Sequence, residues 1–289
     1  MQLNPSEFIL NADNSIYHLN LLPEDIAPTV ITVGDPDRVS EVSKHFDHIE
    51  IKKGKREFHT HTGTLNGKRL TVMSTGIGTD NIDIVLNELD ALVNIDFFTK
   101  KIKSKLTSLD IIRIGTSGSI HSDIPIDSFL MSEYAIGFDS LLQFYDSDHV
   151  QHHDIQKAFM DYTQWYNHKS TPYVVAYDKV LGAKLMSDEI LLGFTATNVG
   201  FYGPQGRKLR LETQDNDLNG KLAAFRFNDL KITNLEMETS GIYGLAKLLG
   251  HRAVSMNCIL ANRSTGQFSN KPAESTEKLI QYTLQKITQ

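Results

Sequence analysis

The sequence predicts an α/β fold in a single domain, residues 1–289, and three observations predict it. Short β-branched or apolar runs recur at Thr29 to Val33, Leu70 to Ser74, Ile111 to Ile114, Ser128 to Met131, Tyr173 to Ala176 and Arg252 to Leu260. Stretches with helical spacing lie between several of them, and that alternation favours α/β over an all-β fold. The chain has 289 residues, 40% hydrophobic and 22% charged, enough to bury one large core, with no internal repeat or long linker that would divide it.

The helices follow from apolar stripes. In Pro36 to Phe46, Val39, Val42 and Phe46 share a face, with Asp35 placed to cap the helix and Pro36 at its first position, where a missing N–H costs nothing. Ile84, Val85, Leu89, Leu92 and Val93 form a second stripe. A third, Ile242, Leu245, Leu248 and Leu249, stops at Gly250, which suits a left-handed cap. Leu279, Ile280, Leu284 and Ile287 mark a last amphipathic helix. The stretch from Asp96 to Asp110 (DFFTKKIKSKLTSLD) is polar and basic, and it is longer than the roughly 2–6 residues such connections use. It is expected to be a surface insertion.

Charge narrows the function classes. A net charge of -6, from 29 basic and 35 acidic residues, argues against a broad nucleic-acid or anionic-membrane footprint, so any anion must be held by a local cluster. The single cysteine, Cys258, lies in an apolar run, which rules out an internal disulfide and fits a packing role in a reducing compartment. The first residues lack the basic start and apolar core of a secretory signal, and no apolar run nears the ~20 residues that span a bilayer. A soluble, cytoplasmic protein is expected.

Several turns carry groups suited to chemistry. In VGDPDRV (Val33 to Val39) a strand, Gly34 and a capped helix start leave backbone N–H groups facing outward, with Arg38 in the first turn. IIRIGTSGSI (Ile111 to Ile120) repeats the logic, with Arg113 inside a β run before Gly115, Thr116 and Gly118. A buried arginine is costly unless it meets an anion, either a ligand or a core carboxylate. Arg56 and Glu57 precede His59 and His61, two histidines on one face of a strand without a third ligand at metal spacing; HVQHHD (His149 to Asp154) suits a solvated loop better than a zinc site. STGIGTDNI (Ser74 to Ile82) fails as a dinucleotide fingerprint, because Asn81 stands where the third glycine belongs. In NLEMETSGIYG (Asn234 to Gly244), an extended chain would put Glu236 and Glu238 on one face, offering up to four acceptor oxygens to vicinal sugar hydroxyls, with Met237 against the ring. TNVGFYGPQGRKLR (Thr197 to Arg210) adds a flat ring, Phe201, an amide, Gln205, and a guanidinium, Arg207, which together match a planar heterocycle with carbonyl and N–H edges.

Taken in order, VGDPDRV, KREF, STGIG, IRIGTSGSI, FYGPQGR and NLEMETSGIYG resemble the nucleoside phosphorylase family, on the uridine-cleaving side of its hexameric branch, over nearly the whole chain from Tyr17 onward. The resemblance implies a central mixed β-sheet flanked by helices, and reversible phosphorolysis of uridine to uracil and ribose 1-phosphate in pyrimidine salvage. It implies a phosphate site of Gly34, Arg38, Arg113 and Thr116 with Arg56 from a neighbouring subunit. It also implies ribose contacts from Glu236, Met237 and Glu238 with the neighbour's His18, and base contacts from Gly118, Phe201, Gln205 and Arg207 with Arg263 behind. Arg113, Glu238 and Arg207 would be catalytic, and Arg113→Ala would abolish turnover while leaving the fold intact. No cofactor or metal is implied beyond phosphate as co-substrate, although some relatives hold a monovalent cation near the positions of Glu57, Ile77 and Asn81, the last a serine in those relatives. The expected assembly is a homo-oligomer, a trimer of dimers. CILANRSTG (Cys258 to Gly266) contains no acid to protonate a purine, which favours a pyrimidine base. A purine nucleoside phosphorylase, a hydrolytic nucleosidase, a silent nucleoside-binding protein and a nicotinamide-dependent oxidoreductase are the alternatives.

Overall fold

A computed structural model describes residues 2–165 and 169–289. Its strands run in chain order as β1 (Thr29–Val33), β2 (His48–Lys55), β3 (Phe58–Leu65), β4 (Lys68–Ser74), β5 (Ile95–Asp96), β6 (Lys101–Ile102) and β7 (Asp110–Ser119). They continue with β8 (Phe129–Gly137), β9 (Tyr173–Ala176), β10 (Ile190–Thr197), β11 (Ile232–Glu236), β12 (Arg252–Asn262) and β13 (Gln267–Phe268). The helices are α1 (Pro36–Ser43), α2 (Thr79–Asn94), α3 (His153–Thr163), α4 (Lys179–Leu185), α5 (Leu218–Ala224), α6 (Thr239–Leu249) and α7 (Pro272–Thr288).

All strands but β5 and β6 join one mixed sheet, and its topology makes the site. β7 pairs in parallel with β1 and with β12, and antiparallel with β11. Because β12 also pairs with β8, β8 with β10, and β10 with β11, these five strands close on themselves, while β1, β4, β3 and β2 extend from β7 as an open wing. The sheet forks at β7, and its far end is lined by elements of both parts.

Alternation along the strands sends side chains into two helix layers. Val30 and Ile111 face α2 and α6, where Ile82, Val85, Leu86, Leu89 and Leu92 are fully buried. Ile31, Val33, Ile112 and Ile114 face α1, α4 and α7, meeting Val39, Val42, Leu279, Ile280 and Leu284. Burying side chains of this size is worth about 1.5–3 kcal/mol each, which is what holds helices of this length on the sheet.

Local expectations mostly hold. Asp35 accepts a hydrogen bond from the Asp37 N–H at 3.0 Å, Pro36 opens α1, and Gly250 ends α6 at φ 79°. α1 stops at Ser43 rather than Phe46, although Phe46 stays buried. HVQHHD is only partly loop: His153 opens α3. The Asp96 to Asp110 stretch is a surface feature, with β5 and β6 forming a separate hairpin that leaves Phe98, Ile102 and Leu106 exposed. Among the described residues no helix is long and apolar enough to cross a membrane.

Candidate active site

A cavity of about 710 Å³ opens where β1, β7 and β11 end. It gathers Gly34, Arg38, Arg113, Thr116, Gly118, Phe201, Gln205, Arg207, Glu236, Met237 and Glu238, drawn from segments far apart in the chain.

One wall is cationic. Gly34 and Asp35 lead into the first turn of α1, and Arg38 lies behind them beside Arg113. Burial and then the neighbouring Arg113 charge hold the Arg38 guanidinium below the usual arginine range, and its Nε–H has no acceptor among the described residues. A half-built cation pair of this kind is relieved by an anion placed between its members. Thr116 adds a hydroxyl to the same cavity.

Arg113 itself is already paired. Its Nη2 donates to Glu238 Oε2 at 2.6 Å and lies 3.3 Å from Glu236 Oε2, while Nη1 donates to Asn257 Oδ1 at 2.9 Å. Burial alone would lower its pKa, but the two carboxylates reverse this and hold it above the ordinary value. The buried arginine therefore meets core acids and lines the cavity at once. Gly115 makes that geometry possible, since a Cβ there would sit 1.9 Å from Nη1.

The acid pair departs from the extended geometry read in the sequence. β11 ends at Glu236, and Glu238 already caps α6. Glu236 Oε1 accepts from the Thr197 hydroxyl at 2.6 Å, and Oε2 accepts from the backbone N–H groups of Glu238 and Thr239 at 2.9 Å each. Glu236 thus takes three hydrogen bonds from its own chain, besides lying against Arg113, and braces the turn while still lining the cavity. Glu238 Oε1 accepts from the Gly78 N–H at 2.9 Å, where φ of 95° favours glycine. Burial, and then repulsion from Glu236 working against Arg113, raises the Glu238 pKa. Asn257 lies in no motif, and the partnerships of Thr197 and Gly78, which do, appear only when the chain is folded.

At the other end, Arg207 Nη1 donates to Gln205 Oε1 at 2.5 Å and to the Phe201 carbonyl at 2.7 Å. Its guanidinium carbon stacks 3.8 Å from the Phe201 ring centroid. The open aromatic face expected for a base is thus covered by Arg207 here, because a guanidinium gains from a nearby π face. Burial and the Arg263 charge bring the Arg207 pKa down to about 10. Arg263 stands behind, donating to the Gln205 carbonyl at 3.3 Å.

Arg263 does not itself line the cavity, and two further predicted residues lie well away from it. Arg56 sits at the β2–β3 turn with φ 57°, beside Lys52, His59 and His61 on a separate surface. His18 faces Glu88, with Nδ1 2.6 Å from Oε1. Neither lines the cavity of its own chain. Glu57, Ile77 and Asn81 do line it, and Glu57 and Asn81 both pack against Gly76. Cys258 is fully buried, and burial pushes its thiol up to about 12, as suits packing.

Comparison with known proteins decides the family. The model of the phosphorylase superfamily matches residues 28–287. The chain belongs to that superfamily. It is similar to the uridine phosphorylase of Thermococcus kodakarensis, 29% identical over 91% of this chain and 83% of that protein. It is also similar to a purine nucleoside phosphorylase of Buchnera aphidicola, 26% identical over 93% and 98% of the two chains. A solved Trypanosoma brucei nucleoside phosphorylase, described as showing uridine phosphorylase activity, superposes with a TM-score of 0.89, at 26% identity, over 97% of this chain and 99% of its own. A superfamily member of this kind is a nucleoside phosphorylase, an enzyme that transfers a pentosyl group.

Proposed function

We propose that the enzyme is a uridine phosphorylase, cleaving uridine with inorganic phosphate to uracil and ribose 1-phosphate in cytoplasmic pyrimidine salvage. The observation that carries the choice of base is the Gln205–Arg207 pair facing a cavity to which β12 contributes Leu260 and Ala261 and no acid. The amide offers donor and acceptor to a pyrimidine edge, and the guanidinium offers charge to a carbonyl. A purine would call for a proton donor at its ring nitrogen.

The chemistry follows from where charge develops. As the N-glycosidic bond breaks, the ribose becomes oxocarbenium-like and its bonding electron pair leaves on the base. Arg38, Gly34, Thr116 and the buried Arg113 hold phosphate against the anomeric carbon, where its negative charge stabilises the cationic sugar before the C–O bond forms. Glu238 takes ribose hydroxyls while Arg113 fixes it in place, and Arg207 stabilises the departing uracil anion. A well-placed charged donor contributes roughly 3 kcal/mol, about a hundredfold in rate. Arg56 and His18 complete phosphate and ribose contacts in a neighbour's site, so the working unit is a homo-oligomer. Glu57 and Asn81 offer oxygen donors suited to a monovalent cation between subunits, and no step runs through it.

Initial rates with uridine and with inosine, each with and without phosphate, test this. Phosphate-dependent uracil release from uridine, well above base release from inosine, is the expected result. Preference for inosine would favour the purine reading, and base release without phosphate would overturn phosphorolysis.

A further inference from the structure

Ser117 lines the cavity, and neither the sequence motifs nor the resemblance gives it a role; the role argued for it rests on the phosphorolysis reading above. Arg113, Gly115 and Ser117 alternate onto one face of β7, and the Arg113 guanidinium folds back over Gly115 toward Ser117. A chain of buried side-chain hydrogen bonds returns to Ser117 from behind. Asn257 accepts from Arg113 and donates through Nδ2 to Ser132 Oγ at 3.2 Å. Ser132 and Thr195 share a 2.5 Å hydroxyl contact, Thr195 donates to Asn234 Oδ1 at 3.0 Å, and Asn234 Nδ2 donates to Ser117 Oγ at 3.0 Å.

This chain has a direction. Arg113 can only donate, so Asn257 must present its oxygen to it and its NH2 to Ser132. Asn234 Oδ1 accepts from both Thr195 and Thr233, which leaves its NH2 for Ser117. Ser117 Oγ therefore receives a hydrogen bond from the protein, and its own O–H has no acceptor among the described residues, although Ser117 lines the cavity. A buried hydroxyl that accepts one bond from the protein and has its own hydrogen unspent is suited to donate to a ligand in the cavity.

Position along β7 says which part of the ligand. On one side of Ser117 lies Arg113 with the acid that grips the sugar. On the other is Gly118, whose Cβ position is 3.6 Å from Ala261 and 3.8 Å from the Arg263 side chain, itself bonded to Gln205. Ser117 thus stands at the junction of sugar and base. We propose that the Ser117 hydroxyl donates to the pyrimidine carbonyl oxygen adjacent to the glycosidic nitrogen, the C2 oxygen. Negative charge builds on that oxygen as the base leaves, so the bond strengthens in the transition state and Ser117 is a catalytic residue for leaving-group stabilisation.

The test compares wild type, Ser117→Ala and Ser117→Thr on uridine and on 2-thiouridine, whose sulfur is a weaker acceptor, with melting curves run alongside. Ser117→Ala is expected to lose about 10–100-fold in kcat on uridine, below the roughly 100–1000-fold of an oxyanion-hole donor because the hydroxyl shares the leaving charge with Arg207, with the KM for phosphate and the melting temperature little changed. Ser117→Thr, which keeps the hydroxyl, restores most of kcat. Wild type should favour uridine over 2-thiouridine, and Ser117→Ala should lose most of that preference. Unchanged kcat in Ser117→Ala, or an equal 2-thio penalty in both enzymes, overturns the assignment. If wild type fails to cleave uridine with phosphate, the proposed function itself is wrong and this inference falls with it.

Discussion

Replacing Arg113 by alanine should damage the fold as well as the activity, contrary to what the sequence alone suggested. The guanidinium is the cation that holds Glu236 and Glu238, which are 4% and 5% exposed, and removing it leaves two buried carboxylates 2 positions apart without a counter-charge. Breaking a buried ion pair from one side costs about 3–5 kcal/mol. At about 2–4 °C per kcal/mol for chains somewhat shorter than this, the melting temperature should fall by roughly 6–20 °C. The sign of the pH dependence is fixed by Glu238, whose folded-state pKa is already raised by burial and by Glu236, and rises further without Arg113. A carboxylate with a raised folded-state pKa favours the fold while protonated and loses that contribution as pH rises. The deficit should therefore be largest near about pH 8 and narrow toward about pH 5. Melting curves of both proteins across that range, followed by circular dichroism, measure it. A variant that melts within about 2 °C of wild type at the alkaline end would refute the claim that Arg113 carries this acid pair.

Other outcomes follow from the same geometry. Arg38→Met should raise the KM for phosphate by about 10–100-fold, the worth of a charge-assisted hydrogen bond, in steady-state assays. Phosphate at a hundredfold excess over its Kd should stabilise wild type by about 2.7 kcal/mol in thermal melts, and Arg38→Met much less. Gly115→Ala should cost nearly all activity, because the added methyl falls on the Arg113 guanidinium; a crystal structure with Arg113 unmoved would contradict this. Gln205→Ala frees Arg207 from one partner and should lower the ratio of uridine to inosine kcat/KM while leaving the melting temperature nearly unchanged.

Local order was largely legible. Asp35, Pro36 and Gly250 set helix ends through bonds to their own neighbours, and the runs at Thr29 to Val33 and Tyr173 to Ala176 have the strand bounds that the sequence indicates. β10 is hard to read locally because Leu191 and Leu192 are both exposed and blur the alternation, and β2 because its run is rich in lysine. The site was legible as a list of residues, eleven of which one cavity collects. Their partnerships were not.

What the sequence determined by itself is therefore the alternation of strands and helices, the turns that end them, and the kinds of side chain those turns carry. All of these depend on residues a few positions apart. Only the tertiary structure decided that Glu236 braces a turn while Glu238 pairs with Arg113, that Arg207 covers Phe201, and that a hydrogen-bonded chain runs from Arg113 to Ser117 in the cavity wall. Those outcomes depend on strands from distant parts of the chain meeting at the fork in the sheet. Where a buried polar group finds its partner is set by that meeting and by no local pattern.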